Sequence, residues 1–147
     1  MLAVGGWLAS TRVGPASVDW ESVPPLKAPA AILTRSPGEQ KWWVVARNDS
    51  AATLADGGGP VRLEFRLLMS PGQVDTARYV VSISVDGKAE GWEAFTATPD
   101  PRVSMPGVVV GDRDRVEFAL PRGRHLIRVG LMAGSGDRLL FRVRRPE

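Results

Sequence analysis

The sequence from Arg115 to Arg144 is RVEFALPRGRHLIRVGLMAGSGDRLLFRVR, and this stretch decides the fold class. Apolar and polar residues alternate through three segments, which are separated by turn residues at 121–124 and 133–137. This alternation predicts three antiparallel strands in a meander with one buried face. With the apolar faces aligned, the expected register pairs Phe118 with Ile127, Val116 with Val129, Ile127 with Val143 and Val129 with Phe141, beside an outer row of Glu117, Arg128 and Arg142.

The same kind of pattern extends toward the N-terminus. Residues 41–47 are KWWVVAR, rich in aromatic and β-branched residues, and both 61–69 and 78–85 alternate. No stretch of ten or more residues has helical periodicity with capping signals. The sequence therefore predicts an all-β, antiparallel two-sheet β-sandwich, immunoglobulin-like or jelly-roll-like, with a small closed barrel as the main alternative.

Asp86-Gly87 predicts a type I′ hairpin turn, because both central residues of that turn need positive φ. A two-residue turn there pairs Val81 with Trp92. Trp92 and Phe95 are an odd number of residues apart, so an unbroken strand cannot bury both on one face. We expect a β-bulge at Gly91 to resolve this conflict.

Residues 1–40 differ in character from the rest. Five prolines between residues 11 and 40 argue against a regular helix. We predict an extended proline-rich N-terminal arm or linker over 1–40, in which 18–20 and 31–33 dock as edge strands, and a sandwich domain over 41–147. The opening MLAVGGWLAS resembles the apolar part of a signal peptide without its basic region, and it is too short to span a bilayer.

The composition limits the chemistry available. The 147 residues contain no cysteine and one histidine, so we expect no disulfide, no zinc site and no cofactor. His125, expected opposite Leu120 at a strand start, has no evident catalytic partner. Glu90 and Glu93 should point to opposite strand faces, and Asp112 and Asp114 suit a solvated turn better than calcium. We therefore expect no catalytic residue and no enzyme.

Tryptophan is the stronger functional signal, with five in the chain. Trp42 and Trp43 are adjacent and must point to opposite faces of a strand, so we expect only one of them in the core. An exposed tryptophan can stack on a sugar ring or be covered by protein, and Trp92 is a further candidate. The predicted ligand-binding residues are Trp42, Trp43 and Trp92, and the predicted partner-binding residues are Trp7, Trp20, Arg128 and Arg142.

The run from Leu120 to Val129, LPRGRHLIRV, resembles a hairpin found in bacterial immunoglobulin-like and carbohydrate-binding sandwich domains. In those domains a strand ends in a Leu-Pro-x-Gly turn and the next strand begins near a His or Thr. The resemblance supports the fold class and transfers no functional residue.

These observations favour a non-catalytic β-sandwich that acts as a protein-interaction, structural or accessory domain of a bacterial envelope or secreted protein. The alternative is a carbohydrate-binding module that uses exposed tryptophans. Partners would be a protein, a second copy held through the N-terminal arm, or a carbohydrate. The arginine-rich composition is discounted as evidence of nucleic-acid binding, and no membrane span is expected.

Overall fold

The computed structural model describes residues 19–134 and 136–147, with only the backbone for residues 89–90. These residues form eleven strands and no helix. The strands are β1 (Trp20–Val23), β2 (Ala30–Arg35), β3 (Gly38–Ala46), β4 (Ser50–Asp56), β5 (Gly59–Met69), β6 (Ala77–Val85), β7 (Lys88–Ala97), β8 (Val109–Val110), β9 (Asp114–Leu120), β10 (Arg124–Gly134) and β11 (Arg138–Pro146). The described part of the chain contains no helix able to cross a membrane.

The strands form two separate antiparallel sheets. The large sheet has seven strands in the order β2-β3-β11-β5-β8, with β1 paired to β11 and β9 paired to β5. The small sheet has four strands in the order β4-β10-β6-β7. The prediction of an all-β, two-sheet antiparallel sandwich is confirmed.

The predicted C-terminal meander is wrong. β9 pairs with β5 in the large sheet, β10 pairs with β4 and β6 in the small sheet, and β11 returns to the large sheet. Phe118 lies opposite Val61 rather than Ile127, and Phe141 lies opposite Phe65 rather than Val129. Alternation identifies which face of a strand is buried, but it does not identify the strand that supplies the hydrogen bonds. The three strands therefore cross the sandwich twice while keeping their apolar faces in one core.

The hairpin prediction is largely confirmed. Asp86 and Gly87 have φ of 55° and 79°, and they connect the pair Val85 and Lys88. The register then shifts beyond Ser84, so that Ile83 lies opposite Gly91. The extra residue moves the partner of Val81 from the expected Trp92 to Glu93, which corrects the predicted pairing.

Residues 20–35 contribute strands to the large sheet. β1 pairs with the end of β11, and β2 pairs with β3, which begins at Gly38 and spans the proposed boundary. The division of the chain at residue 40 stays a prediction. The signal-like opening and Trp7 lie outside the described residues.

Two apolar clusters hold the fold together. The first lies between the sheets and buries Phe65 together with Phe118, Ile127, Val129 and Phe141, whose apolar faces the strand alternation predicted to be buried. The second lies on the outer face of the large sheet, where Trp42, Leu140 and Val103 are buried together. Val103 belongs to the connection between β7 and β8, so this connection covers part of a face that would otherwise meet solvent.

Candidate functional site

Trp42 and Trp43 do point to opposite faces, but both are buried. Trp43 is 6% exposed in the core between the sheets, and Trp42 is 0% exposed beneath the connection to β8. The guanidinium of Arg142 lies 4.1 Å from the centre of the Trp42 ring. Only Trp43 therefore lies in the core between the sheets, as expected, while Trp42 lies on the outer face and is covered by protein; neither ring is open to a ligand. The second strand face is covered by a distant segment that strand alternation does not reveal.

Arg142 is also unavailable to a partner. Its side chain is buried, and its Nε donates a hydrogen bond to Glu64 at 2.5 Å. Burial lowers the pKa of Arg142 from its usual value. Trp20 is half-buried in β1, where the Arg62 guanidinium lies 4.1 Å from its ring centre. Arg142 is thus a structural residue, which corrects its predicted role, and Trp20 docks on its own domain.

The two remaining predicted residues, Trp92 and Arg128, lie on the outer face of the small sheet. Trp92 is 59% exposed, and Arg128 is exposed with its Nη1 3.3 Å from the hydroxyl of Ser50. Strand pairing places Trp92 opposite Ser82, Ser82 opposite Gly130, and Gly130 opposite Ser50. Three strand spacings separate the ends of this row, which is about 14 Å. We call these four residues the Trp92 row.

A shallow hollow lies beside the middle of the Trp92 row. Its volume is about 370 Å³, and its lining residues are Asn48, Asp49, Ser50, Ser82, Leu131 and Met132. Gly130 is buried in the middle of the row, and an added Cβ would lie 2.7 Å from the Ser82 hydroxyl and 3.0 Å from the Asp49 carbonyl oxygen, so Ser82 and the Asp49 backbone pack closely against this position. Met132 is the extra residue of a register shift in β10 and is 47% exposed. The surface thus combines an aromatic ring, hydroxyl groups and a recess.

Sequence reasoning found Trp92 and Arg128 but missed the serines and Gly130. The pairing of Ser82 with Gly130 and of Gly130 with Ser50 joins residues far apart in the chain. The only local signal was the position of Ser82, between the core residues Val81 and Ile83, which indicates that it points outward.

A second hollow, of about 410 Å³, opens beside β2, β3 and the start of β4. Alanine and valine side chains form much of its lining, with Lys27, Asp49 and Arg138 as the charged groups. No aromatic side chain is among its described lining residues. The Trp92 row is therefore better suited to binding a ring by stacking.

His125 is held by contacts with the protein on both ring nitrogens. His125 lies opposite Ala55, not Leu120 as expected, and its Nδ1 is 2.7 Å from the carboxylate of Asp86. Its Nε2 is 2.8 Å from the carbonyl oxygen of Pro121. The hydrogen bond to Asp86 raises the pKa of His125. These contacts tie the start of β10 to the β6–β7 turn, which is a structural role.

The acidic residues do not gather into a metal site within the described residues. Asp114 accepts a hydrogen bond from the Tyr79 hydroxyl at 2.6 Å, and Asp112 accepts one from the Thr98 amide at 2.9 Å. Burial raises the pKa of Glu93, and the side chain of Glu90 lies outside the described set. No acid pair is thereby assembled for catalysis among the side chains that the structure describes.

No protein-family model and no curated protein matches this chain. Among solved structures, a family 35 carbohydrate-binding module from Clostridium thermocellum is similar, with a TM-score of 0.52 and 14% identity over 88% of this chain and 99% of that one. The catalytic domain of an α-1,3-glucanase has a TM-score of 0.50 and 13% identity, covering 92% of this chain and 29% of that chain.

A 4-O-methyl-α-glucuronidase with specificity for decorated arabinogalactans has a TM-score of 0.48 and 14% identity, and this chain spans 19% of its length. Identities this low are evidence about the fold alone. The chain has the β-sandwich fold of the carbohydrate-binding module, which it matches along nearly its whole length.

Proposed function

We propose that this chain is a non-catalytic carbohydrate-binding domain that binds sugar on the outer face of the small sheet. The observation that carries the proposal is the 59% exposure of the Trp92 ring at one end of a row of outward-facing polar positions. The similarity in fold to a family 35 carbohydrate-binding module supports this assignment over the protein-interaction reading that the sequence favoured.

The chemistry of the Trp92 row suits a sugar. The apolar face of a pyranose ring packs against an aromatic ring, because its axial C–H groups meet the negative face of the π-system. The hydroxyls of Ser82 and Ser50 both donate and accept hydrogen bonds, as sugar hydroxyls do. Arg128 adds donors next to Ser50, and the hollow lined by Ser50 and Ser82 leaves room for a sugar beside the row.

Such a domain would serve as an accessory module of a bacterial envelope or secreted protein. The domain would hold its ligand close to the rest of a longer protein or complex, and it would not itself catalyse a reaction on that ligand. Binding on an open face is compatible with one chain of a polysaccharide lying across the strands.

The test is affinity electrophoresis and a glycan array with the whole chain. We expect binding to at least one polysaccharide, weakened at least tenfold by Trp92→Ala, which corresponds to about 1.4 kcal/mol. Leu54→Ala is the matched control, because Leu54 is 37% exposed on the same sheet and lies outside the row. Binding that survives Trp92→Ala unchanged would refute the stacking role.

A protein partner remains the second candidate, and one observation favours it. β7 is an edge strand of the small sheet, so a partner strand could pair along it beside Trp92. A glycan array with no binding, together with loss of a protein complex on Trp92→Ala, would support this role instead.

A further inference from the structure

The outer face of the large sheet carries a concentration of arginine. Register places Arg144 opposite Arg62 and Arg62 opposite Glu117, while Arg142 lies opposite Glu64 and Glu64 opposite Arg115. Arg113 joins them through its Nη1, which lies 3.6 Å from Glu64. We call this set the arginine face; its members are Arg62, Arg113, Arg115, Arg142 and Arg144 with Glu64 and Glu117.

The two glutamates do not neutralise the arginine face. Five guanidinium groups surround two carboxylates, an excess of three positive charges, which equals the formal net charge of the whole chain, +3. Glu64 is fully buried, and Arg142 hydrogen-bonds to one of its oxygens. Glu117 is buried and accepts a hydrogen bond from the Nε of Arg62 at 2.7 Å. The acids are therefore already committed to the two least exposed cations.

Arg113 and Arg115 are the open members. Their side chains are 41% and 53% exposed, and their nearest carboxylate oxygens lie 3.6 Å and 3.8 Å away. Neither guanidinium donates a hydrogen bond to another described residue. Arg113 directly precedes β9 and Arg115 is the second residue of that strand, so in extended backbone their Cα atoms are about 7 Å apart, and both side chains approach glutamates of one face. Each retains a planar set of donors that fits a carboxylate or sulfate group in a bidentate manner.

The crowding of like charge has an energetic consequence. The neighbouring Arg144 and Arg113 both act to lower the pKa of Arg142, in addition to its burial. An anion placed over the exposed members would relieve this repulsion, and the partly buried arginines beneath would strengthen the local positive potential.

We propose that the arginine face is a second binding surface, for an acidic polysaccharide that carries carboxylate or sulfate groups, with Arg113 and Arg115 as the contact residues. It lies on the opposite side of the sandwich from the Trp92 row, so the two surfaces can be tested separately; the choice of a polysaccharide as the anionic partner rests on the proposed function. The anion pairs with the exposed guanidiniums, while Arg62, Arg142 and Arg144 strengthen the positive electrostatic potential around them.

The experiment measures binding of the whole chain to immobilised polygalacturonate, which carries carboxylates, and to heparin, which also carries sulfates. Uncharged dextran serves as the blank. We expect binding to at least one acidic surface that weakens steeply as salt is raised. Arg113→Gln combined with Arg115→Gln should weaken binding at least tenfold, while Lys88→Gln combined with Arg122→Gln removes equal charge elsewhere and should change it less than twofold.

A variant with the opposite sign separates a binding role from a structural one. Glu117→Gln keeps an oxygen that accepts the Arg62 hydrogen bond but removes a competing negative charge, so it should tighten binding about threefold or more. If the two double variants lose binding to the acidic polysaccharide equally, net charge alone accounts for the binding and the proposal is overturned. Failure to bind either acidic polysaccharide at low salt would also overturn it, and capture of an acidic protein instead would assign the face to a protein partner.

Discussion

The two outer faces of the sandwich arise from the same sequence pattern but differ in their exposure to solvent. β5 presents Arg62, Glu64 and Arg66 outward from the large sheet, and all three are buried or half-buried. On the small sheet, β7 and β10 present Trp92 and Arg128, and both are exposed. In each case charged or aromatic residues alternate with core residues. The difference teaches that alternation locates the outward face of a strand but does not say whether that face meets water.

The additional cover on the large sheet comes from the β7–β8 connection and from β1. The Arg66 guanidinium donates to the Asp100 carboxylate at 3.1 Å, and Asp100 also accepts from Arg102. This ion pair fixes the connection over Trp42, with Val103 packed into the same cluster. The small sheet has no corresponding segment over Trp92 within the described residues. We therefore expect mutations on the two faces to separate stability from binding.

The largest difference should come from two arginines that the sequence placed in one outer row. Arg142→Gln leaves the carboxylate of Glu64 buried without its hydrogen-bonded cation, so we expect a loss of about 3 kcal/mol in the free energy of unfolding. Arg128→Gln on the open face should change it by less than about 0.5 kcal/mol. Chemical denaturation of both variants measures this difference, and similar losses would contradict the contrast between the faces.

The β7–β8 connection should contribute a smaller amount. Asp100→Asn weakens the ion pair with Arg66, and we expect a cost of about 1–3 kcal/mol in unfolding free energy and greater access of quenchers to tryptophan. Hydrogen bonds from Arg102 and Arg66 hold the pKa of Asp100 well below its usual range. The stabilisation is therefore present above the unfolded pKa, about 3.9, and is lost as pH falls through the folded value. Acid unfolding of wild type and Asp100→Asn should converge at low pH; parallel curves would contradict this assignment.

His125 should make a smaller, pH-dependent contribution. The hydrogen bond to Asp86 raises the pKa of His125, so the protonated ring stabilises the folded chain. This stabilisation is fully present below the unfolded pKa, about 6.5, and is lost as pH rises through the higher folded value. Thermal melts between about pH 5 and 8 should show this slope in wild type but not in His125→Gln. An identical slope in both proteins would show that another group is responsible.

The smallest effect on stability should be at the proposed binding residue itself. Trp92 is mostly exposed, so Trp92→Ala should change the unfolding free energy by less than about 0.5 kcal/mol while it weakens glycan binding. Trp43→Ala is the comparison, since that ring is buried in the core and its removal should cost about 3–5 kcal/mol. A large loss of stability for Trp92→Ala would show that the ring is a packing residue.

The alternation of side-chain direction along β7 and β10 predicted part of the candidate site. Trp92 and Phe95 lie on opposite faces, as their odd spacing requires of a regular strand, and the bulge expected to bury both does not do so. It precedes both residues and turns Trp92 outward, while Phe95 packs against Tyr79. The outward position of Arg128 followed from the buried Ile127 and Val129 in the same way. Neither Trp42 nor the arginine face could be assigned by such reasoning, because their environment depends on segments distant in the chain.

The sequence by itself determined that this chain forms strands, which side chains of each strand face the core, and where the tightest turn lies. These properties depend on the two-residue period of a strand and on the φ angles of neighbouring residues, which are local. Only the tertiary structure decided that β9, β10 and β11 alternate between two sheets and that both Trp42 and Trp43 are buried. Strand partners and covering segments are chosen by contacts across the whole chain, and a local pattern carries no information about them.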